Sequence, residues 1–332
     1  MGDRRGRLML ASFLFLALLF LLLSVAGLWD ALAAPWKSLE GAWTLRLPWL
    51  LAALALGTGN LIGMAALWTL LARRWGGPID FTEGITAWVG ANLGRYIPGK
   101  IWQLAGLAAY VRGRGGSSAV ALVSAVVFQL VILISGIAAA LLTLRERLGT
   151  AFGGSPVVPI LIAGGLALLL HPALIRRAAP ILAGLLREDR TTVADLMRRD
   201  RSGHRVYTWL LGAAVLPVWW AYGLGLWCIA AGIFESPPGD PWTLSGVFAA
   251  SYVAGYVSLV TPGGLVVREG AMALLLVSVT PISGAAAAVL AIVARLWTVL
   301  AELAAFGLAA LARGIRSRTS SRAASRGQPP QG

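Results

Sequence analysis

Apolar runs long enough to cross a bilayer as single helices recur along the chain, and they leave it few folds to adopt. A helix spanning a ~30 Å hydrocarbon core needs about 20 apolar residues, each adding 1.5 Å of rise. Leu8–Leu28, Pro48–Leu71, Ala119–Leu144 and Val206–Phe234 meet that length, and Ser283–Ala310 is long enough to tilt. Pro156–Leu170 is shorter but extends into His171-Pro172. These six segments are expected to be full spans. The runs are rich in Leu and Ala and do not alternate as barrel strands must. With 58% of the 332 residues hydrophobic and 13% charged, polar groups are too few to cover a soluble domain of this size. The expected fold class is an all-α polytopic membrane bundle. Leu8–Leu28 follows Arg4, Arg5 and Arg7 as a signal peptide would, but it is too long for a signal core and reads as an uncleaved span.

Two apolar stretches are interrupted instead of continuous. Asp80–Gly113 breaks at Arg95-Tyr96-Ile97-Pro98-Gly99-Lys100, and Thr243–Val279 breaks at Thr261-Pro262-Gly263-Gly264, just before Arg268-Glu269-Gly270. Proline removes a backbone donor and glycine favours loop geometry, so helices are expected to stop at Pro98-Gly99 and at Pro262-Gly263-Gly264. Non-helical backbone at membrane depth persists only where protein or a wet cavity solvates it. Each stretch therefore reads as a re-entrant or discontinuous helix pair. Asp80 with Glu83 suits a capping box, and Asp240-Pro241 and Thr280-Pro281 suit a helix cap followed by a first-turn proline.

Charge placement sets an orientation. Formal net charge is +14, but the basic residues sit in short segments between apolar runs, as in loops beside anionic headgroups, so nucleic acid is not the expected partner. With a cytoplasmic N-terminus, 20 of the 28 basic residues fall on the cytoplasmic side. Four (Lys37, Arg46, Arg145 and Arg147) fall outside, and four (Arg95, Lys100, Arg268 and Arg295) fall within membrane segments. That bias favours cytoplasmic N- and C-termini in a bacterial-type inner membrane. The first broken pair then opens from the cytoplasm and the second from outside, each between two spans, which is the pattern of an inverted repeat.

The expected organisation is one transmembrane domain over 1–312: a first span and outer loop (1–47), a first repeat half (48–145), a cytoplasmic connector (172–205) and a second repeat half (206–312). A disordered basic cytoplasmic tail (313–332) follows. The connector mixes Leu and Ile with basic residues and is expected at the membrane surface or as a solvated link.

A charge near the bilayer centre costs about 2.5–3.5 kcal/mol or more, so it is paired or functional. Arg95, Lys100, Arg268, Glu269, Arg295 and Glu302 are therefore the candidate set, with Arg295 and Glu302 seven residues apart on one helix face. Glu269 or Glu302 is expected to brace one arginine while another cation stays free. The functional reading is a polar cavity for an anionic lipid headgroup, lined also by Asn92, Tyr96 and Gln103; the bland reading is an ion-pair network that locks the bundle. Free N–H groups at helix starts beyond the two breaks would face the same anion.

Trp29, Trp36, Trp43, Trp49, Trp75 and Trp242 fall near span ends and suit an interfacial belt, while Trp102 lies beside the first break. Gly57, Gly59 and Gly63 permit close helix contact. A single cysteine, Cys228, with His171 and His204, offers neither a disulfide framework nor a metal site. No cofactor is expected.

The run Asn92-Leu93-Gly94-Arg95-Tyr96-Ile97-Pro98-Gly99-Lys100-Ile101-Trp102-Gln103 resembles one in the flippase-like, lysylphosphatidylglycerol-synthase transmembrane family. So does Pro262-Gly263-Gly264-Leu265-Val266-Val267-Arg268-Glu269-Gly270, followed by a Leu-rich helix and Arg295. The resemblance spans about residues 8–312. It implies an inner-membrane protein that translocates lipids, including aminoacylated, polyprenyl-linked or glycosylated ones. It carries over to Arg95, Pro98, Gly99, Lys100, Arg268, Glu269 and Arg295. The full-length synthases add a soluble aminoacyl-transfer domain, which the 20 residues after Ala312 cannot form, so synthase activity is not expected. The alternatives are a non-transporting scaffold or subunit for a lipid-modifying enzyme, and a membrane-embedded lipid transferase. The latter would draw on only a scattered set: His171, His204, Glu188, Asp189, Asp195 and Asp200.

Overall fold

The computed structural model describes residues 44–75, 77, 79–96, 102–147, 155, 157–169, 173–174, 177, 181, 184, 204–258, 264 and 266–326. Regular structure among them is helical. The long helices are α1 (Leu47–Arg74), α4 (Ser118–Thr143), α6 (His204–Ile233) and α9 (Gly284–Arg326). Between them lie α2 (Phe81–Asn92) and α3 (Trp102–Arg112), then α5 (Val157–Leu169), then α7 (Pro241–Val257) and α8 (Val267–Val279). Four segments are long and apolar enough to cross a membrane: α1, α4, Ala213–Ile233 of α6 and Gly284–Ile315 of α9.

The expected span Pro156–Leu170 is a helix of 13 residues, only about 20 Å long and too short alone to cross the core. The expected span Leu8–Leu28 and most of the connector lie outside the described residues. Helix α9 continues through Arg326, where the sequence reading has a disordered tail from Arg313. Extending a formed helix adds a hydrogen bond per residue without a new nucleation cost, and Ala and Arg are good helix formers.

Both interrupted stretches appear as helix pairs. After α2 the chain tightens into a 3₁₀ turn at Leu93–Tyr96, and α3 begins only at Trp102. Helix α7 stops at Val257 and α8 starts at Val267, with Gly264 and Val266 both in the left-handed region at φ 72° and 70°. A β-branched residue avoids that region unless its surroundings enforce it. Here the backbone folds back so closely that a Cβ on Gly264 would lie 2.8 Å from the Gly255 Cα. The expected break residues Pro98, Gly99, Pro262 and Gly263 lie outside the described residues.

Caps fix where the pairs begin. Asp80 accepts from the Thr82 N–H at 2.9 Å, but Glu83 does not close a capping box; it reaches Arg114 at 3.0 Å instead. Asp240 accepts from the N–H groups of Trp242 and Thr243 at 2.8 and 3.1 Å. Burial slightly opposes its charge, yet these bonds and the Thr243 hydroxyl hold its carboxyl below the usual range. Thr280 does not cap α9. It closes α8, donating both its N–H and its hydroxyl to the Leu276 carbonyl, and Ser283 caps α9 by accepting from the Ala286 N–H.

Helix α6 packs on α1 and α7, α7 on α4 and α8, and α9 on α8, α1 and α2. Close approach at the start of α2 places Gly84 against Thr69 near the end of α1. At the start of α7, Gly246 lies against Leu144 just beyond the end of α4. Trp68, beside Thr69, donates to the Ser124 hydroxyl near the start of α4, so the two interrupted pairs begin at opposite ends of α4. Gly57 admits Trp297 of α9, whereas among the described residues nothing lies within 4 Å of a Cβ on Gly59 or Gly63. Trp49 and Trp242 are exposed as a belt requires, but Trp75 is buried in the core.

Gly223 sits 2.5 Å, by a virtual Cβ, from the Ser245 backbone. Gly223→Val is therefore expected to cost about 1–3 kcal/mol by overpacking. Gly59→Ala, in open space, is expected to stabilise by roughly 0.5–1 kcal/mol through lower chain entropy. Thermal unfolding in detergent reads both. Asp240→Ala is expected to cost about 1 kcal/mol through the lost cap. The depressed pKa means that this stability is present above the unfolded carboxylate range and fades as pH falls through the folded value.

Candidate functional site

The interrupted helices bring the membrane-depth charges to one region. Arg95 leaves the 3₁₀ turn after α2 and forms an ion pair with Glu302 of α9. Two helical turns earlier on α9, the Arg295 Nε faces Glu269 of α8 at 3.6 Å. That is a contact of opposite charges, too long for a hydrogen bond. Adjacent on α8, Arg268 and Glu269 point to different partners, as neighbouring helical positions must. Arg295 and Glu302 share a face of α9 but do not pair with each other; each holds one of the interrupted pairs.

Arg268 is only 5% exposed and has no carboxylate partner among the described residues. Its guanidinium lies over the rings of Phe248 and Tyr252 on α7, 4.8 and 5.7 Å from their centroids. The ring quadrupoles stabilise the cation without using its donors, and the Arg268 Nη2 is buried with no hydrogen-bond partner. Tyr96 separates the other two cations, with Arg95 and Arg295 5.4 and 5.3 Å from its ring centroid. Gly255 makes room for this arrangement, because a Cβ there would stand 2.7 Å from the Arg268 Cβ.

Two adjoining small hollows share Arg95, Tyr252 and Arg268 on their walls. The first also touches Asn92, Gln129 and Glu302; the second touches Gln103 and Arg295. Asn92 and Gln103 are joined across the first break, the Gln103 amide donating to the Asn92 oxygen at 2.9 Å. Of the residues expected at a site, Asn92, Arg95, Gln103, Arg268, Arg295 and Glu302 line the hollows, and Tyr96 and Glu269 pack directly behind them through the contacts above. Lys100 lies outside the described residues, and Trp102 is exposed and lines neither hollow.

Sequence reasoning missed Gln129, Tyr222, Phe248 and Tyr252. Gln129 was detectable as an amide within an otherwise apolar span, and its Nε2 is buried without a partner. The aromatics carried no signal apart from packing: Tyr222 stacks on Phe248 at 4.4 Å, and Trp297 lies edge-on to both. The Trp297 N–H is spent on the Ala53 carbonyl at 2.7 Å, so that wall offers the cavity ring surface and no free indole donor.

The family model described as the lysylphosphatidylglycerol synthase TM region matches residues 9–305, and the chain belongs to that family. Membership agrees with the apolar helices in making it a membrane protein of lipid-related function. No curated protein matches the chain.

Removing one side of a buried ion pair strands the other. Glu302→Ala is expected to cost about 3 kcal/mol in chemical denaturation, while Arg95→Met with Glu302→Met together cost far less than the sum of the single changes.

Proposed function

We propose that this member of the lysylphosphatidylglycerol synthase transmembrane-region family moves a phosphate-bearing lipid between leaflets. The headgroup crosses through the cavity at Arg268 while the acyl chains stay in lipid. The observation that carries the reading is a buried guanidinium, Arg268, that lines both hollows and faces no carboxylate among the described residues. A charge at such depth is expensive unless it is compensated. The other two arginines face carboxylates, whereas this one has aromatic rings. A phosphate oxygen completes it, and the planar fork suits that partner.

The transport mode we infer is alternating exposure of the hollow, with the halves 48–145 and 206–312 as an inverted repeat. Entry of the two pairs from opposite ends of α4 supports that symmetry, as does the order of long helix, interrupted pair, long helix, which occurs twice. Helix α9 carries counter-charges for both interrupted pairs, which makes it the natural element to couple them. The basic-residue bias supports cytoplasmic termini in an inner membrane. The chain is proposed to act as a transporter and not as an enzyme, with membrane lipids as its partners. An association with a lipid-modifying enzyme is compatible with this role.

In vesicles reconstituted with the full chain, Arg268→Ala is expected to slow leaflet exchange of a fluorescent phospholipid by about tenfold or more while the thermal transition is retained. Arg268→Lys is expected to recover only part of the rate, because a point charge replaces the fork. Wild-type exchange in Arg268→Ala would remove the site.

A further inference from the structure

Resting on that reading, we infer that the site is divided between its two hollows. The second hollow seats the phosphate among three guanidiniums, and the first reads the small polar group that the phosphate carries. Gln129 is the specificity-determining residue for that group.

The second hollow suits an oxyanion. Arg95, Arg268 and Arg295 all line it, and among the described residues no carboxylate does. Glu302 faces Arg95 and Glu269 faces Arg295 at 3.6 Å, but both acids lie off this wall. The Nη2 atoms of Arg268 and Arg295 are buried without a hydrogen-bond partner. Cations that converge at low dielectric repel one another, and an anion with several acceptor oxygens relieves that repulsion.

The first hollow has a different chemistry. Glu302 lines it and is only 2% exposed, and a carboxylate there opposes a second anion. The Gln129 Nε2 and both Glu302 oxygens are buried there without a hydrogen-bond partner, so the wall offers a donor and acceptors together. Most of the remaining wall is apolar, with Leu61, Ile132 and Trp297 among it. An apolar pocket with a few polar groups of both kinds suits a headgroup that ends in a hydroxyl or an ammonium.

Exposure sets the order of the two. Tyr256 on the second hollow is exposed, whereas every residue lining the first is buried or half-buried. Arg95, Tyr252 and Arg268 are the partition common to both. A phosphodiester lipid joins its acyl-bearing backbone and its headgroup through one phosphorus. With the phosphate in the second hollow, the backbone leaves on the Tyr256 side and the headgroup reaches past the shared arginines into the first.

The test uses the full chain in phosphatidylcholine vesicles with trace fluorescent phosphatidylglycerol or phosphatidylmethanol of one acyl composition, rates being taken above protein-free vesicles. Both are phosphodiesters, and only the first carries hydroxyls beyond the phosphate. Exchange of phosphatidylglycerol is expected to exceed that of phosphatidylmethanol by about threefold or more, the worth of one or two hydrogen bonds. Gln129→Met, close in size but apolar, is expected to bring the two rates together. Arg295→Lys keeps the charge that faces Glu269 and loses the fork, so it is expected to slow both lipids alike and keep their ratio. The wild-type ratio decides the division by itself, and equal rates overturn it while transport stands. A preference retained in Gln129→Met with an unchanged thermal transition removes Gln129. An Arg295→Lys change confined to phosphatidylglycerol overturns the second hollow as the phosphate seat. No movement of either lipid overturns the transport reading as well. Inhibition by inorganic phosphate at concentrations matching the lipid would assign the guanidiniums to a free anion and overturn the lipid assignment.

Discussion

Three arginines and two glutamates cannot all be matched, and that inequality organises the centre of this protein. Each matched pair joins α9 to one of the interrupted stretches, Glu302 to Arg95 and Arg295 to Glu269. Both pairs are deeply placed, so their strength depends on water staying out, and either becomes costly once separated. The surplus cation is tolerated because its ring partners are built into α7. The network therefore joins the interrupted stretches through α9 and leaves one guanidinium without a carboxylate among the described residues.

Packing around the cluster is tight on one side and open on the other. Gly223 brings α6 within backbone contact of Ser245 on α7, while Gly57 and Gly225 form the slot for the Trp297 indole. Indole donors inside the bundle are matched: Trp68 donates to the Ser124 hydroxyl and Trp219 to the Ser135 hydroxyl. Buried polar atoms without a hydrogen-bond partner gather instead at the charge cluster, donors on Arg268, Arg295 and Gln129 together with the carboxylate oxygens of Glu269 and Glu302. A rigid aromatic wall also makes helix rearrangement stepwise, because packed rings have discrete arrangements.

Much of the architecture was legible in the chain itself, since lipid admits so few backbone solutions. The long helices start within a few residues of the apolar runs, although α9 continues past its run to Arg326, and both interruptions span the Pro-Gly clusters. Local signals were less dependable where a tertiary partner competed. Glu83 left its capping box for Arg114, which lies over the Tyr110 ring, and Thr280 closes the helix before it instead of opening the one after. Gly59 and Gly63 have the same composition signal as Gly57 but no close neighbour among the described residues. Trp75 looked interfacial by position and is core by neighbourhood.

For the site, one-dimensional reasoning named the charges because insertion cost is a property of each residue, independent of its neighbours. It expected Glu269 or Glu302 to brace one arginine; in the fold both carboxylates face arginines. The partner assignment needed three dimensions, since Arg295 and Glu302 are neighbours on one helix face yet belong to different pairs. The ring wall was invisible for the same reason: an aromatic in a span is ordinary until a cavity forms beside it. Hydropathy and backbone chemistry are written residue by residue and so determined the helices and their breaks. Which arginine is left over depends on distances between segments far apart in the chain, and only the folded arrangement decides that.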